Sequence, residues 1–224
     1  MDIISLKENI RKYYNLHYNQ EVKLRNRQSA KADWKIHVRE SFYHAVKEES
    51  KRSLLELGAG NGYDSQFFLD KGLSVTAVDI SSEMVKACQE KGIEAYELDF
   101  YNLASLGKTF DCVYSMNALV HVPKTDLPSV LREIDSVLAP DGLFYIGLWG
   151  GRDIETEIVE HEISEVPRFY AFHSESYLNA ILADHFEILS FETIDMPLRT
   201  EVDTFHSVIM RKKKSDIVPT DHNV

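Results

Sequence analysis

The sequence predicts an α/β protein built around a doubly wound, mostly parallel β-sheet. Three observations carry this prediction: strand-like apolar segments alternate with helical ones, the first strand ends in a glycine-rich turn, and an acidic residue ends each of the next two strands. Strands that alternate with helices form right-handed βαβ units, and such units join into a parallel sheet. The 224 residues suffice for one domain of this kind with additional helices.

The N-terminal part of the chain is expected to be helical. A set of apolar residues at every fourth position shares one helix face: Trp34, Val38, Phe42 and Val46. An earlier, short helix is expected around residues 4–14. We therefore assign residues 1–50 to an N-terminal helical extension that covers the functional site.

Seven later segments have the length and the apolar composition of β-strands. The expected strands are residues 53–57, 74–78, 93–98, 110–115, 143–148, 187–193 and 205–211. Helices are expected after the first, second and fourth strands and around residues 177–182. The last two strands are joined by a polar connection without room for a helix, so they should pair antiparallel. The prediction is a seven-stranded mixed sheet, mostly parallel with an antiparallel last strand.

Composition and charge exclude several classes of protein. Hydrophobic residues make up 44% of the chain and charged residues 27%, which is ordinary for a soluble globular protein. The net charge of −11 disfavours a nucleic-acid partner, because proteins that bind phosphate backbones present a basic surface. No apolar run reaches the roughly 18 residues that span a bilayer. Without a signal-peptide pattern or a membrane segment, a cytoplasmic location is expected. The spacing of Cys88 and Cys112 predicts neither a metal site nor a disulfide framework.

Residues suited to bind a nucleoside lie at successive strand ends. The glycine-rich turn at residues 58–62 follows the first strand, where ligands of open parallel sheets bind. Glycine lets the backbone approach a ligand and turn tightly into a helix. Asp79 ends the second strand about 20 residues further on, where a carboxylate can accept hydrogen bonds from ribose hydroxyls. Asp99 ends the third strand, where its carboxylate could accept from the exocyclic amine of adenine.

The glycine spacing indicates which nucleoside is bound. Dinucleotide-binding loops read G-x-G-x-x-G, whereas this turn reads G-x-G-x-G, with Tyr63 at the position of the third glycine. Together with Glu56, the stretch at residues 54–62 resembles the first motif of the class I, Rossmann-like methyltransferases that use S-adenosylmethionine (SAM). Further segments resemble, in order, the ribose-binding segment, the adenine-binding segment, the fourth strand and the turn into the fifth strand of that family: residues 78–84, 98–100, 110–115 and 138–143.

The resemblance covers residues 54–148 and implies SAM as the cofactor. It implies that the glycine turn contacts the methionine part of SAM, that Asp79 binds the ribose, and that Ile80 and Met84 pack on the adenine. Asp99 and the Phe100 backbone would then read the adenine edge. The expected cofactor-binding residues are Glu56, Gly58, Gly60, Gly62, Asp79, Ile80, Met84, Asp99, Phe100, Met116 and Asn117. For Met84, ordinary core packing is an equally good interpretation.

Methyl transfer from a sulfonium is an in-line displacement, and positioning supplies most of the catalysis. Holding the nucleophile, methyl carbon and sulfur in line can contribute about 7 to 11 kcal/mol. No metal is required, and a general base is needed only for an acceptor that must lose a proton. His121 follows the fourth strand, where the family has its reaction centre, and histidine exchanges protons readily near neutral pH. The alternative is that His121 merely fixes its loop.

Two regions are expected to recognise the acceptor. One is the N-terminal extension, and the other is residues 149–172, an unusually long connection that suits a lid over a small organic molecule. The candidate substrate residues are Tyr14, Trp34, Trp149, Arg168 and Tyr170, although each could instead pack on the core. The lid interrupts a SAM-binding methyltransferase domain at residues 51–212, and residues 213–224 are expected to form a flexible tail.

The sequence therefore predicts SAM-dependent methyl transfer to a small-molecule acceptor. Two other functions stay open at this stage, a nicotinamide-dependent oxidoreductase and a SAM-binding adaptor without catalytic activity. Neither a nucleic-acid nor a membrane partner is expected. The sequence at residues 115–118 lacks the [Asp/Asn]-Pro-Pro-aromatic motif common to enzymes that methylate base amines. The oligomeric state is left open.

Overall fold

The computed structural model describes residues 2–29, 33–160, 164–196 and 204–214, with side chains described for residues 2–16 and from residue 34 onward within those ranges. The helices are α1 (Ile3–Ser29), α2 (Asp33–Glu48), α3 (Tyr63–Asp70), α4 (Ser82–Glu90), α5 (Leu127–Val137) and α6 (Glu175–His185). The strands are β1 (Ser53–Leu57), β2 (Ser74–Asp79), β3 (Glu94–Glu97), β4 (Phe110–Met116), β5 (Leu138–Gly150), β6 (Ile154–Ile158), β7 (Arg168–Phe172), β8 (Phe186–Asp195) and β9 (Thr204–Lys212).

The central sheet has seven strands in the order β3-β2-β1-β4-β5-β9-β8. The first five strands in the chain pair parallel, whereas β9 pairs antiparallel with both β5 and β8. This confirms the predicted Rossmann-like α/β fold with a mixed sheet and an antiparallel last strand. Strand order reverses between β1 and β4, and at such a point the carboxyl ends of the strands leave a crevice for a ligand.

Successive residues of the central strands point to opposite faces of the sheet and build two cores. Leu54 and Tyr145 pack with α2 and α3 on one face, whereas their neighbours Leu55 and Phe144 pack with α5 and α6 on the other. All four side chains are fully buried. Because helices cover both faces, the central strands are apolar on both sides, as expected for a parallel sheet.

The N-terminal extension consists of two helices, as predicted, but the first is longer than expected. Helix α1 covers Ile3–Ser29 rather than residues 4–14 alone. Helix α2 buries Val38, Phe42 and Val46 against the sheet, which confirms its apolar face. Its first apolar residue, Trp34, is only partly buried. Helix α1 packs against α4 and β7, so it lies over the edge of the sheet where a ligand is expected.

The segment expected as a lid contains a pair of antiparallel strands that form a β-hairpin. Strand β5 continues to Gly150, and β6 then pairs antiparallel with β7 in a separate two-stranded sheet. Side chains in Ile154-Glu155-Thr156-Glu157-Ile158 alternate with the period of a strand. Residues 161–163 and the tail beyond residue 214 lie outside the described part of the chain. Whether the hairpin acts as a lid stays a prediction.

Candidate active site

A cavity opens at the carboxyl ends of β1, β2 and β4 and is roofed by α1. Its volume, with the open mouth included, is about 690 Å³. Eight of the predicted cofactor-binding residues line it: Gly58, Gly60, Asp79, Ile80, Asp99, Phe100, Met116 and Asn117. Helix α1 contributes Ile3, Leu6, Lys7, Ile10 and Tyr14, and His121 lines the cavity together with Val122. The structure therefore joins the predicted nucleoside site and the candidate base in one space.

The glycine turn adopts a backbone that other residues rarely adopt. Gly58 and Gly60 have φ angles of 67° and 56°, both in the left-handed region. A side chain at Gly58 would also overlap the methyl group of Ala118, which follows β4. The glycine turn and the loop after β4 are therefore in close contact, with only the Ala118 methyl group between their backbones. Gly58 and Ala118 both line the cavity.

Asp79 supports the glycine turn as well as facing the cavity. Its Oδ2 accepts a hydrogen bond of 2.9 Å from the Gly60 amide, and its Oδ1 accepts one of 2.9 Å from the Ser81 amide. The side chain is buried, and a buried carboxylate requires such donors. Each oxygen of a carboxylate can accept a further hydrogen bond. Asp79 can thus accept from ribose hydroxyls while it holds the turn in position.

Asp99 is engaged by α1, which the sequence did not predict. Its Oδ2 accepts from Lys7 Nζ at 2.7 Å, and its Oδ1 accepts from Asn102 Nδ2 at 2.7 Å and from the Tyr101 amide at 3.0 Å. Burial by itself raises the pKa of Asp99, but these hydrogen bonds outweigh burial and hold the pKa below its ordinary value. The carboxylate is therefore ionised and shares its acceptor capacity between α1 and any ligand.

Three predicted cofactor-binding residues do not line the described cavity: Glu56, Gly62 and Met84. The buried carboxylate of Glu56 accepts from the hydroxyl of Ser65 on α3. Gly62 is the N-cap of α3 with a φ of 72°, so its role here is to turn the chain into the helix. Met84 is buried in the interior, in line with the core-packing interpretation. Contacts of these three residues with SAM stay predictions.

His121 is held between two partners in a defined orientation. Its Nδ1 lies 2.7 Å from the carbonyl oxygen of Phe169 on β7, and its Nε2 lies 3.0 Å from the hydroxyl of Tyr14 on α1. A carbonyl only accepts hydrogen bonds, so Nδ1 carries the proton. In the neutral imidazole Nε2 then accepts from Tyr14. The ring of Tyr170 packs on the imidazole with 4.9 Å between ring centres.

Beside this pair lies a buried arginine among tyrosine rings. The Arg168 guanidinium lies 4.0 Å from the centre of the Tyr13 ring and 5.4 Å from that of Tyr170, and its Nη2 is 2.5 Å from Oε1 of Glu160. Burial lowers the pKa of Arg168, but the surrounding tyrosines and Glu160 more than reverse this effect, so the guanidinium stays charged. The structure thus brings Arg168, Tyr170 and Tyr14 together around His121.

The two tryptophans proposed for substrate binding lie elsewhere. Trp34 and Trp149 pack on each other with 5.6 Å between ring centres, and both contact Phe205 of β9. Neither lines the described cavity. Their aromatic character serves to join α2 to the end of β5, which is the core-packing alternative. That these tryptophans contact an acceptor stays a prediction, and their absence from the cavity lining does not support it.

The sequence did not predict that α1 contributes to the cofactor end of the cavity, the part lined by the glycine turn, Asp79 and Asp99. Ile3, Leu6, Lys7, Ile10 and Tyr14 share one helix face, and this spacing is visible in the sequence. What the sequence could not reveal is which surface that face covers. Among the described residues there is no group of histidine, cysteine or carboxylate side chains that could hold a metal ion. No described helix is long and apolar enough to cross a membrane.

Comparison with known proteins agrees with this geometry. The fold is that of Rossmann-like nucleoside-binding proteins, and residues 54–142 match the family described as "Methyltransferase domain". This matched region, which is less than half of the chain, is similar to the class I SAM-dependent methyltransferases. The matched region contains the glycine turn, Asp79, Asp99 and His121, so it includes the part of the cavity lining that lies outside α1.

Individual relatives resemble parts of the chain or its fold. A ubiquinone biosynthesis O-methyltransferase of Xanthomonas axonopodis pv. citri is 29% identical over 116 residues, which cover 49% of this chain and 48% of the relative. The chain thus spans about half the length of the curated relatives it matches. The Burkholderia thailandensis 1,6-didemethyltoxoflavin-N1-methyltransferase, with 1,6-didemethyltoxoflavin and S-adenosylhomocysteine bound, superposes with a TM-score of 0.69 at 22% identity, covering 92% of this chain and 88% of that one.

A second solved structure extends the range of acceptors seen on this fold. The magnesium protoporphyrin IX methyltransferase of Synechocystis PCC 6803, with S-adenosylhomocysteine bound, gives a TM-score of 0.68 at 16% identity, covering 91% of this chain and 98% of that one. At these identities the similarity concerns the fold alone. The substrates in these names belong to those proteins.

Proposed function

We propose that this protein transfers the methyl group of SAM to a small organic acceptor. The observation that carries the proposal is the single cavity that has the glycine turn and two acidic strand ends at one side and the His121–Tyr14 pair at the other. Cofactor and acceptor would then meet at the loop after β4. The similar proteins with named small-molecule acceptors support this substrate class.

The residues present fit SAM chemically. SAM carries hydroxyl groups on its ribose and an amine on its adenine, and the carboxylates of Asp79 and Asp99 at the cavity walls can accept hydrogen bonds from such donors. Aliphatic side chains of α1, among them Ile3, Leu6 and Ile10, offer an apolar surface for the adenine. SAM supplies an activated methyl group, and the protein would align that group with the acceptor and exclude water. The roof formed by α1 suits the second task.

The direct test is isothermal titration calorimetry of the full chain with SAM, S-adenosylhomocysteine and NAD. We expect micromolar or tighter binding of the first two and no binding of NAD. Transfer of a labelled methyl group from SAM to a panel of small aromatic and aliphatic acceptors then tests catalysis. Tight binding of NAD without binding of SAM would overturn the proposal. Binding of SAM without transfer to any acceptor would favour the adaptor alternative.

A further inference from the structure

The hydrogen bonds of His121 fix the direction in which a proton can move. Because Nδ1 keeps its proton and donates a hydrogen bond to the Phe169 carbonyl, the lone pair of Nε2 faces Tyr14, and the Tyr14 hydroxyl is the donor in their 3.0 Å contact. Both residues line the cavity. A ligand hydroxyl that approaches Tyr14 would therefore meet a phenol oxygen whose proton is already directed at a base.

We propose that Tyr14 is a catalytic residue that accepts the proton of the acceptor and passes its own proton to His121, and that the acceptor is a phenolic or enolic hydroxyl compound methylated on oxygen. This inference rests on the proposed function and deepens it. The acceptor oxygen forms the bond to the methyl carbon with one of its lone pairs. The carbon–sulfur bond breaks, and its electron pair stays on sulfur.

Protons and charges balance in this step. The acceptor proton moves to the Tyr14 oxygen while the Tyr14 proton moves to Nε2 of His121. The products are a methyl ether, neutral S-adenosylhomocysteine and an imidazolium, which later releases its proton to water. The positive charge of the sulfonium thus reappears on His121, where the Phe169 carbonyl accepts from Nδ1 and stabilises the charged ring.

The charges around Tyr14 suit this role. The Arg168 guanidinium lies 6.0 Å from the centre of the Tyr14 ring, so a positive charge stands beside the relay. Glu160 is the counter-charge, paired with Arg168 and accepting from the hydroxyl of Tyr13 at 3.3 Å. Burial keeps Tyr170, which packs on His121, in its neutral form by raising its pKa.

Other residues of α1 contact the rest of the protein and so fix the position of Tyr14. Lys7 pairs with Asp99, and Arg11 Nε donates to the Ile80 carbonyl at 3.3 Å. Asn15, next to Tyr14, accepts from the hydroxyl of Ser81 at 2.7 Å. The phenol is thus held within the cavity by groups at its cofactor end, and positioning of this kind is what a proton relay requires.

A hydroxyl acceptor makes use of this relay, whereas a neutral amine does not need it. A neutral amine attacks the methyl carbon with its own lone pair and can lose its proton after transfer. A phenol or enol becomes a strong nucleophile only as its proton leaves, and general base catalysis contributes about 10²–10⁴-fold to such steps. The acceptor chemistry therefore decides how much Tyr14 contributes.

The first test needs no acceptor. Nitrogen-15 NMR of the histidine-labelled full chain with S-adenosylhomocysteine bound should show His121 protonated on Nδ1, and Tyr14→Phe should shift its Nε2 signal. Tyr96→Phe, at an exposed tyrosine bonded to Glu94, is the control and should leave the signal unchanged. A proton on Nε2, or no change in Tyr14→Phe, overturns the relay whether or not SAM is the cofactor.

The second test measures labelled methyl transfer to catechols, simple phenols, a nitrophenol already ionised at the assay pH, and anilines of the same shapes. We expect transfer to hydroxyl probes, and in Tyr14→Phe a fall of about 100-fold in kcat for un-ionised phenols with an unchanged KM for SAM. For the ionised nitrophenol the fall should be less than about tenfold. The inference is contradicted if Tyr14→Phe loses equal activity towards both types of phenol. It is also contradicted if a chain that binds SAM methylates anilines alone or methylates no hydroxyl probe. Failure to bind SAM in calorimetry would instead reject the proposed function itself.

Discussion

Lys7 Nζ lies 2.7 Å from Oδ2 of Asp99 and 4.1 Å from the centre of the Tyr101 ring, so α1 is fixed directly to the end of the cavity where the adenine edge is expected. The N-terminal helix is therefore part of the cofactor site as well as a cover over it. Any ligand that donates to Asp99 must share that carboxylate with Lys7.

Loss of this ion pair should weaken the fold at pH values above the folded pKa of Asp99, so that acid unfolding begins at a higher pH. The pKa of Asp99 in the folded chain lies below its ordinary value of 3.8, so the pair stabilises the fold above that pH and the stabilisation is lost as the pH falls through the folded value. Lys7→Met should raise the pH of acid unfolding. Near neutral pH it should lower the free energy of unfolding by about 1 kcal/mol, because the pair is partly exposed.

The measurement is urea unfolding followed by circular dichroism at several pH values. Lys12→Met, which removes an exposed lysine from the same helix, is the matched control and should leave the acid transition in place. If Lys7→Met and Lys12→Met unfold at the same pH, the contact between Lys7 and Asp99 contributes nothing measurable in solution.

Asp79→Asn should weaken SAM binding while the fold survives. The Asn side chain keeps one acceptor oxygen for the turn, but it loses the charge and places an amide group where Asp79 accepts from the Gly60 or Ser81 amide. Hydrogen bonds to charged groups are worth about 1.5–3 kcal/mol, so the dissociation constant for SAM should rise at least tenfold. Calorimetry with SAM measures the change, and the exposed Glu90→Gln is the control. An unchanged dissociation constant in Asp79→Asn would mean that Asp79 only supports the turn.

Gly58→Ala should destabilise the fold more than its backbone strain alone explains. The added methyl group would overlap that of Ala118 and would require a left-handed backbone at φ 67°. Gly107→Ala is the matched control, because Gly107 also has a left-handed φ of 61° but open space around the position of a methyl group. We expect both variants to lose about 1 kcal/mol from strain, and Gly58→Ala a further 1–3 kcal/mol from overpacking. Thermal unfolding of the two variants separates these contributions, and equal losses would contradict the predicted overlap.

Local signals in the sequence were enough to predict the sheet and the cofactor end of the site. A glycine turn and acidic residues at strand ends are set by the chemistry of a few consecutive residues, so it could be predicted without a structure that Gly58, Gly60, Asp79 and Asp99 lie at one cavity. The antiparallel last strand followed in the same way from a polar connection too short for a helix. Each of these features depends on residues close together in the chain.

Contacts between distant segments could not be read in this way. Tyr14 and His121 are separated by 107 positions, and their contact depends on where α1 packs. The same holds for Trp34 and Trp149, whose aromatic character alone suggested substrate binding. Trp149 and Tyr170 both belong to the segment expected as a lid, but one packs with α2 and the other with His121. Residue type identified the candidates, and tertiary packing separated them.

The hairpin of β6 and β7 should depend on Asp153 for its attachment. Asp153 precedes β6 and accepts from the amide and the hydroxyl of Ser174 at 3.0 and 2.6 Å and from Lys124 Nζ at 2.9 Å. Slight burial raises its pKa, but these donors outweigh burial and lower the pKa to about 2. The attachment is therefore complete above pH 3.8 and is lost as the pH falls towards 2.

Removing this carboxylate should loosen the hairpin without disturbing the cofactor end. Asp153 is largely exposed, so Asp153→Ala should cost on the order of 1 kcal/mol of local stability and increase amide exchange in β6 and β7 about fivefold. Because β7 carries the Phe169 carbonyl that orients His121, methyl transfer should slow while the SAM dissociation constant stays the same. Hydrogen exchange followed by mass spectrometry measures the loosening of β6 and β7, and calorimetry measures the dissociation constant for SAM. Asp184→Ala, at an exposed carboxylate of α6, is the control. If exchange in the hairpin is already fast in the unaltered protein and Asp153→Ala leaves it unchanged, Asp153 does not attach the hairpin, and the orientation of His121 must depend on other contacts.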